Sequence, residues 1–260
     1  MSLPNGIRSR HLDNGNGLSI HFLEAGFDQA ARPLLLLLHG FPELAYSWRK
    51  IMLPLAAAGF HVVALDQRGY GETRGWDNRY EGDLASFRFL NLVQDTLGLV
   101  WALGYQTVSA VVGHDFGSSV AGCCALIRPD VFRSVVMMSA PFTGAPAFVN
   151  DEANKDPRLP YAPATKGKDI HAALAELTPP RKHYQWYYST PDANANMWRS
   201  PDGVHAFLRA YYHHKSADWK LNQPFKLNAW QAKDLAQLPR YYIMDLDQGM
   251  AETVAPEMPS

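Results

Sequence analysis

The sequence contains only two cysteines, the adjacent residues Cys123 and Cys124, which lie in an apolar segment. Neighbouring cysteines do not form a useful covalent staple, and they do not have the spacing of metal ligands. A disulfide-stabilised secreted domain and a cysteine-based metal site are therefore excluded. We expect a reducing compartment and no bound metal or cofactor.

Long apolar runs and blocks of one charge are also missing. The longest purely apolar run, residues 34–38, is far too short to span a bilayer, and the N-terminal MSLPNGIRSR lacks the apolar region of a signal peptide. The formal net charge is −1 and no basic block is present, which argues against nucleic acid as a partner. We therefore expect a cytoplasmic protein that binds neither membranes nor nucleic acid.

Short apolar runs that alternate with helical segments dominate the first part of the chain. With 260 residues, of which 47% are hydrophobic, the chain is long enough for one large domain with an insertion. Strands are predicted over residues 17–24, 34–38, 60–65, 108–112 and 131–139, and helices over residues 46–55 and 88–103. This alternation predicts the α/β class, with a mostly parallel sheet and helices on both faces.

Four polar or glycine-containing segments come directly after predicted strands. They are HGFPE at 39–43, DQRGYG at 66–71, GHDFG at 113–117 and APF at 140–142. In open parallel sheets, ligands bind at the carboxyl ends of the strands. We therefore predict that these segments build the functional site.

The segment GHDFG indicates a nucleophile with Asp115 at its centre. A strand, a sharp glycine-flanked turn and a helix are the geometry of the G-x-S-x-G elbow, whose central side chain stands exposed above the sheet. The start of a helix keeps a carboxylate ionised, and an ionised carboxylate attacks carbon to form an ester. The pentapeptide alone leaves open that Asp115 merely caps the helix.

The character of the chain changes at about residue 142. Strand-like runs disappear, prolines interrupt the segment, and aromatic residues become dense after residue 183. We predict a core domain over residues 1–142 and a helical insertion over residues 143–260, which covers the carboxyl edge of the sheet. Most of the aromatic side chains are expected to form the insertion's own core.

Taken together, the four segments resemble the epoxide hydrolases of the α/β-hydrolase superfamily. In order and spacing they cover most of residues 17–142. A fifth segment, HYQWYY at 183–188, resembles the part of that family's cap that carries a proton-donating tyrosine. The resemblance implies the α/β-hydrolase fold with a helical cap.

The resemblance also implies a role for four residues. Asp115 would attack the less hindered carbon of an epoxide, and Tyr184 would donate a proton to the epoxide oxygen as the ring opens. The backbone N–H groups of Phe41 and Phe116 would hold the oxyanion that forms when water hydrolyses the ester to a vicinal diol.

Further residues are expected to bind the substrate or to support the turns. Pro42, Trp186 and Tyr187 are the expected substrate contacts, and the aromatic cap suggests a small apolar epoxide. His39 and His114 are expected to support the turns rather than to take part in the chemistry.

Related enzymes that release a halide differ from this sequence at the residue directly after the predicted nucleophile. Haloalkane dehalogenases usually place tryptophan directly after the aspartate to bind halide, and fluoroacetate dehalogenases place arginine there. This chain has Phe116, and Phe41 cannot donate a side-chain hydrogen bond either. Both departures favour an epoxide, while a haloalkane dehalogenase-like hydrolase stays the alternative. Asp115 itself excludes a serine esterase.

The resemblance stops near the end of the sequence. In this superfamily the acid and the histidine of the triad follow two strands that come after the cap. We find no counterpart of these strands or of the two triad residues in this sequence, and none of the second cap tyrosine. His205, His213 and His214 could substitute in principle, but they lie in cap-like sequence.

We therefore expect the first two-thirds of an epoxide hydrolase, in which the last core strands are missing. The predicted strand over residues 131–139 would then form an open sheet edge, which favours self-association through that edge or the cap. A non-catalytic fragment or binding module is the rival hypothesis.

Overall fold

A computed structural model describes residues 3–29, 31–140, 144, 169–220, 223 and 225–258. The chain divides into two compact units, residues 1–162 and residues 163–260, which are described separately below. The predicted domain boundary between residues 142 and 143 lies outside the described residues, as does part of the APF segment.

The first unit is built on a six-stranded sheet. Its strands are β1 (Ile7–Asp13), β2 (Ser19–Ala25), β3 (Leu34–Leu38), β4 (His61–Leu65), β5 (Ala110–His114) and β6 (Val135–Met138), in the order β1-β2-β4-β3-β5-β6. The strands β4, β3, β5 and β6 are parallel, while β2 pairs antiparallel with both β1 and β4. The predicted mostly parallel sheet is confirmed.

Helices cover this sheet on both faces. They are α1 (Arg49–Ala57), which follows a 3₁₀ turn at Ala45–Trp48, α2 (Phe89–Ala102), which follows a 3₁₀ turn at Leu84–Phe87, and α3 (Phe116–Ile127). Successive side chains of a strand point to opposite faces. Leu34, Leu36 and Leu38 accordingly pack with residues of α2 and α3, whereas Leu35 and Leu37 pack with residues of α1.

Sequence patterns missed β1 and misplaced the ends of other strands. The strand β1 has the sequence IRSRHLD and buries only Ile7, so it shows none of the apolar pattern by which buried strands are recognised. The strand predicted over residues 131–139 is shorter, because Val131 and Phe132 lie in the core before β6 begins.

The strand β6 is an edge of the sheet as far as the described residues go, since β5 is its partner. All four of its side chains are 37–47% exposed, although all four are apolar. A strand in the middle of a parallel sheet would bury both faces.

The second unit contains short helices and one small sheet. The helices are α4 (Ile170–Ala175), α5 (Tyr184–Tyr188), α6 (Ala193–Trp198), α7 (Gly203–His213), α8 (Ala232–Leu235) and α9 (Met250–Val254). Two strands, β7 (Arg181–His183) and β8 (Ile243–Asp245), pair antiparallel. The sequence did not predict them, because three residues are too few to show an alternating pattern.

Among the described residues, no helix is both long enough and apolar enough to cross a bilayer. Cys123 and Cys124 are free thiols, and both are buried inside α3.

A buried ion pair links the turn after β4 to α2. The Nε and NH2 groups of Arg68 both donate to Asp95, each at 2.8 Å, and the side chains of Asn14 and Asn16 also donate to the Asp95 carboxylate. Only 6% of the Arg68 side chain and 5% of the Asp95 side chain are exposed. The pair is thus removed from water on both sides.

Asp95→Ala is expected to lower the free energy of unfolding by about 3–5 kcal/mol, because the buried Arg68 guanidinium would be left without its counterion. Denaturant unfolding measures the change. Asp77→Ala is the matched control, since it removes the partner of Arg79 from a similar but solvent-exposed pair. An equally small effect of both substitutions would contradict this prediction.

Candidate active site

Asp115 lies at a strained turn between β5 and α3. Its backbone has φ 53° and ψ −120°, a conformation that residues with a side chain rarely adopt. The turn is held on both sides, because the Asp115 N–H donates to the Met138 carbonyl at 3.0 Å and the Asp115 carbonyl accepts from the Ser118 N–H at 3.0 Å. The strand, turn and helix predicted around this residue are present.

The two glycines of the elbow are required by close backbone contacts. A Cβ atom at Gly113 would overlap the carbonyl group of Gly117, and a Cβ atom at Gly117 would overlap the carbonyl oxygens of Leu38 and His39. Backbone atoms at the centre of a sheet cannot move aside cheaply. The spacing of the glycines around Asp115 therefore follows from the packing of β3, β5 and α3.

The predicted oxyanion donors lie on two different elements next to Asp115. The N–H of Phe41, in the turn after β3, donates to the Oδ1 atom of Asp115 at 2.9 Å. Phe116 is the first residue of α3, so its N–H is one of the helix-start donors that have no partner within the helix. One of the two predicted donors thus lies in the turn after β3, and the other lies at the start of α3.

His39 braces the turns after β3 and β4. Its Nδ1 donates to the Gly40 carbonyl at 2.9 Å, its Nε2 accepts from the Gln67 N–H at 3.1 Å, and the Gln67 amide donates back to the His39 carbonyl. Burial lowers the pKa of His39, so the neutral ring is favoured. This is the supporting role that the sequence predicts for His39.

Asp66, directly after β4, fixes the loops around the same edge of the sheet. Its carboxylate accepts from His21 Nδ1 at 2.7 Å, from the Ala45 N–H at 2.8 Å and from the Glu72 N–H at 3.1 Å. Burial alone would raise the pKa of Asp66, but these hydrogen bonds lower it below its ordinary value. Asp66 is therefore an anchor of the loops rather than a proton donor.

Glu43 is a residue of the site to which the sequence assigned no role. Its Oε2 atom lies 2.7 Å from Nδ1 of His114 and accepts from the Gly40 N–H at 3.4 Å. Glu43 thereby connects His114, the residue before Asp115, to the turn that carries Phe41. The 71 residues that separate Glu43 from His114 explain why no local sequence pattern reveals the pair.

Tyr70 is a second residue that the sequence left without a role. Its ring makes an edge contact with His39, with the ring centroids 4.8 Å apart. Burial and the charge of Asp115 raise the pKa of Tyr70 to about 12. The phenol therefore stays neutral near Asp115 at every physiological pH.

An apolar surface lies beside Asp115. The ring of Phe116 stacks on the ring of Phe89, with centroids 5.7 Å apart and planes inclined by 28°. Both side chains remain partly exposed, at 39% and 42%. Neither ring has a hydrogen-bond donor, so this surface suits an apolar group.

In the second unit, Tyr184 begins α5 among other aromatic residues. Its N–H donates to the Tyr242 carbonyl at 2.9 Å, and its ring makes edge contacts with Tyr188 and Tyr242. The two other predicted contacts on this helix differ in exposure, because Trp186 is 44% exposed while Tyr187 is only 6% exposed. Tyr187 packs within the second unit, with Lys182 Nζ over its ring.

Two of the histidines near α7 take part in aromatic packing. His214 stacks on Trp219, with centroids 4.7 Å apart, and makes an edge contact with Tyr241. His213 makes an edge contact with the same Trp219 ring. These contacts explain both side chains as parts of the second unit's packing.

Comparison with known proteins places these features in a family. Residues 33–258 match the family described as alpha/beta hydrolase fold. The chain is 38% identical to epoxide hydrolase B of Mycobacterium tuberculosis (strain H37Rv) over 181 residues, which cover 69% of this chain and 46% of that protein. It is 39% identical to an epoxide hydrolase of Caballeronia sordidicola over 127 residues, which cover 49% of this chain and 36% of that protein.

Solved structures give a similar result. An epoxide hydrolase from an endophytic Streptomyces aligns with 98% of this chain and 63% of its own chain, at a TM-score of 0.67 and 30% identity. Epoxide hydrolase A from Mycobacterium thermoresistibile aligns with 98% of this chain and 65% of its own, at a TM-score of 0.67 and 26% identity. The chain thus spans less than half the length of the two relatives compared by sequence and less than two-thirds of these two structures.

Proposed function

This chain belongs to the α/β-hydrolase fold family, and we propose that it opens epoxides by forming an ester on Asp115, as the first half of an epoxide hydrolase reaction. The proposal depends on one observation above all. The carboxylate that replaces the serine of the elbow is held at Oδ1 by the Phe41 N–H, which leaves Oδ2 as the attacking atom. Relatives and solved structures that bear the name epoxide hydrolase support the choice of substrate.

Ring opening requires one bond to form and one to break. The Oδ2 atom of Asp115 bonds to an epoxide carbon while the bond from that carbon to the ring oxygen breaks. The oxygen takes a proton from a phenol, which we assign to Tyr184 because a phenol is protonated at neutral pH. The products of this step are a β-hydroxyalkyl ester and a phenolate.

Hydrolysis of the ester requires an activated water. Water adds to the carbonyl carbon of the Asp115 ester, and negative charge develops on the carboxyl oxygen. The N–H groups of Phe41 and Phe116 are proposed to hold this oxyanion. The alkoxide then leaves and takes one proton of the water to give the vicinal diol, the carboxylate is restored, and the other water proton converts the Tyr184 phenolate back to a phenol. None of the described residues is proposed as the base that activates this water.

Intact-mass spectrometry with styrene oxide tests the proposal. We expect the protein mass to increase by one epoxide, with the added mass on the peptide that contains Asp115. Formation of phenylethanediol at a rate proportional to protein concentration would support the same assignment. If the folded chain gives neither adduct nor diol, the proposal is wrong. Capture of an alkyl bromide but not of the epoxide would assign the chain to dehalogenation instead.

Tyr184→Phe is expected to slow the formation of the ester about tenfold to a thousandfold, because it removes the proposed proton donor. The initial rate of mass gain in the presence of styrene oxide measures this change. Tyr212→Phe, on α7, is the control and should leave the rate unaltered. An unchanged rate in the Tyr184 variant would mean that another group donates the proton.

We further propose that the substrate is a small apolar epoxide. The stacked rings of Phe89 and Phe116 support this choice, because their exposed surface next to Asp115 favours apolar contact over hydrogen bonding. The expected contacts at Pro42, Trp186 and Tyr187 belong to the same proposal.

Two proposals concern the surroundings of the protein. The free thiols of Cys123 and Cys124 support a reducing compartment such as the cytoplasm. The exposed apolar side chains of β6 support self-association through this edge, since unpaired strand groups beside apolar side chains recruit other strands.

A further inference from the structure

A cavity in the first unit lies away from Asp115. It has a volume of about 650 Å³, and its walls include Leu34, His61 and Ser109, which lie at or just before the starts of β3, β4 and β5. Asp115 follows the other end of β5. With a rise of about 3.3 Å per strand residue, the cavity and the nucleophile are about 20 Å apart along that strand.

Three arginines are among the residues that line this cavity, namely Arg8, Arg10 and Arg32. The lining contains one carboxylate, that of Glu24. Asp28 lies near Arg32, at 3.9 Å, but its side chain is 69% exposed and lies outside the lining. The cavity wall therefore carries a surplus of positive charge in a protein whose formal net charge is −1.

The Glu24 carboxylate cannot account for all of this positive charge. It is fully buried, and Oε1 accepts from Arg8 Nε at 2.6 Å and from Arg10 at 3.2 Å, while Oε2 lies 2.8 Å from His61 Nε2. Burial alone would raise the pKa of Glu24, but the hydrogen bonds from His61, Arg8 and Arg10 lower it to about 2. Glu24 thus neutralises one of the guanidinium groups at any physiological pH.

Contacts hold the Arg8 and Arg32 side chains in place, and Arg8 and Arg10 still have donors to offer. Arg8 lies over the ring of Phe27 at 3.7 Å, and Arg32 NH1 donates to the Ala56 carbonyl at 3.0 Å. A guanidinium group has five N–H donors, and Arg8 and Arg10 each use one of them on Glu24. Fixed guanidinium groups lose little entropy when they bind an oxyanion, which favours recognition of phosphate.

Neutral hydrogen-bonding side chains complete the cavity wall. Gln106, Thr107 and Ser109 line it from the segment between α2 and β5. Their amide and hydroxyl groups can donate to an oxyanion without adding charge. A volume of about 650 Å³ lies within the range of small-molecule sites, which is about 300–1,000 Å³.

We propose that this cavity is a second ligand site, which binds a small molecule that carries a phosphate dianion. The guanidinium groups of Arg8, Arg10 and Arg32 hold the phosphate oxygens, and the wall at Gln106, Thr107 and Ser109 supplies further donors. The site is independent of the chemistry at Asp115. Free phosphate and a phosphate monoester present the same kind of oxygen atoms to the arginines. They differ because only the monoester has an organic group that can occupy the rest of the cavity.

Isothermal titration calorimetry with inorganic phosphate and with phenyl phosphate tests the proposal. Gln106→Glu places a carboxylate in the cavity wall and leaves all the hydrogen-bond partners of Glu24 in place. Gln94→Glu is the matched control, because it makes the same change on the exposed face of α2 outside the cavity. A third variant, Arg10→Gln, removes one guanidinium group while Arg8 and His61 still contact Glu24.

We expect saturable binding of at least one of the two probes at one site per chain. Gln106→Glu and Arg10→Gln should each weaken it at least tenfold, whereas Gln94→Glu should leave the affinity unchanged within twofold. Tighter binding of phenyl phosphate would identify a monoester as the ligand. No saturable heat with either probe up to about 10 mM, or equal affinity of the wild type and the Gln106→Glu variant, would overturn the proposal.

Discussion

Asp115→Asn is expected to abolish covalent capture of an epoxide by this chain. A neutral carboxamide is a far weaker nucleophile than a carboxylate, and loss of the nucleophile in enzymes that form a covalent intermediate can cost about 10⁴-fold or more in rate. With styrene oxide, the intact mass of the variant should stay constant over the time in which the wild type is fully modified.

The Asp115→Asn variant is expected to fold normally, which makes the test specific to the chemistry. The asparagine carbonyl oxygen can accept the same hydrogen bond from the Phe41 N–H that Oδ1 of Asp115 accepts now. Asparagine has nearly the same size and backbone preferences as aspartate, so the exchange adds no new strain at the elbow residue with φ 53°. Circular dichroism and the unfolding temperature should match those of the wild type. Adduct formation at the wild-type rate would refute the assignment of Asp115 as the nucleophile.

Gly117→Ala is expected to lower the free energy of unfolding by about 3 kcal/mol or more, at the upper end of what overpacking costs. The added Cβ atom would meet the carbonyl oxygens of Leu38 and His39, and both belong to the backbone at the end of β3. Neither oxygen can move without disturbing the turn that carries Phe41. The variant should therefore lose both stability and the ability to form the ester, as measured by denaturant unfolding and by intact mass.

Gly104→Ala is the control for the change of residue type. Apart from Gly104 itself and its two chain neighbours, no heavy atom lies within 4 Å of a Cβ atom placed there. The cost of the Gly104→Ala substitution therefore comes from the positive φ of 82° alone. This cost is about 1–2 kcal/mol. If Gly117→Ala were no more destabilising than Gly104→Ala, the close approach of α3 to the turn after β3 would not be the reason that position 117 requires glycine.

Local sequence patterns predict the buried centre of the first unit and fail at its rim. The leucines of β3 form one apolar run because helices cover both faces, and this is visible without any knowledge of the neighbours. The strand β1 can be recognised only from its pairing with β2, because its residues Arg8 and Arg10 form ion pairs with Glu24 on that neighbouring strand. Such charged strands carry no local signal.

The candidate site shows the same division. Asp115 and its two glycines could be predicted because a strand, a glycine-flanked turn and a helix follow each other within a few residues. The contact of Glu43 with His114 and the position of Tyr70 against His39 join segments far apart in the sequence. The motifs contained these residues, but only the folded chain assigns partners to them.

The burial of Cys123 and Cys124 has a consequence for the chemical selectivity of this protein towards electrophiles. Thiolates are among the groups in proteins that react readily with epoxides, but only the deprotonated form does so. Cys123 is 9% exposed and Cys124 is fully buried, and burial raises the pKa of Cys123 and raises that of Cys124 to about 12. Alkylation of these sulfurs should therefore report that α3 has opened, whereas the proposed ester on Asp115 is expected to form in the intact fold.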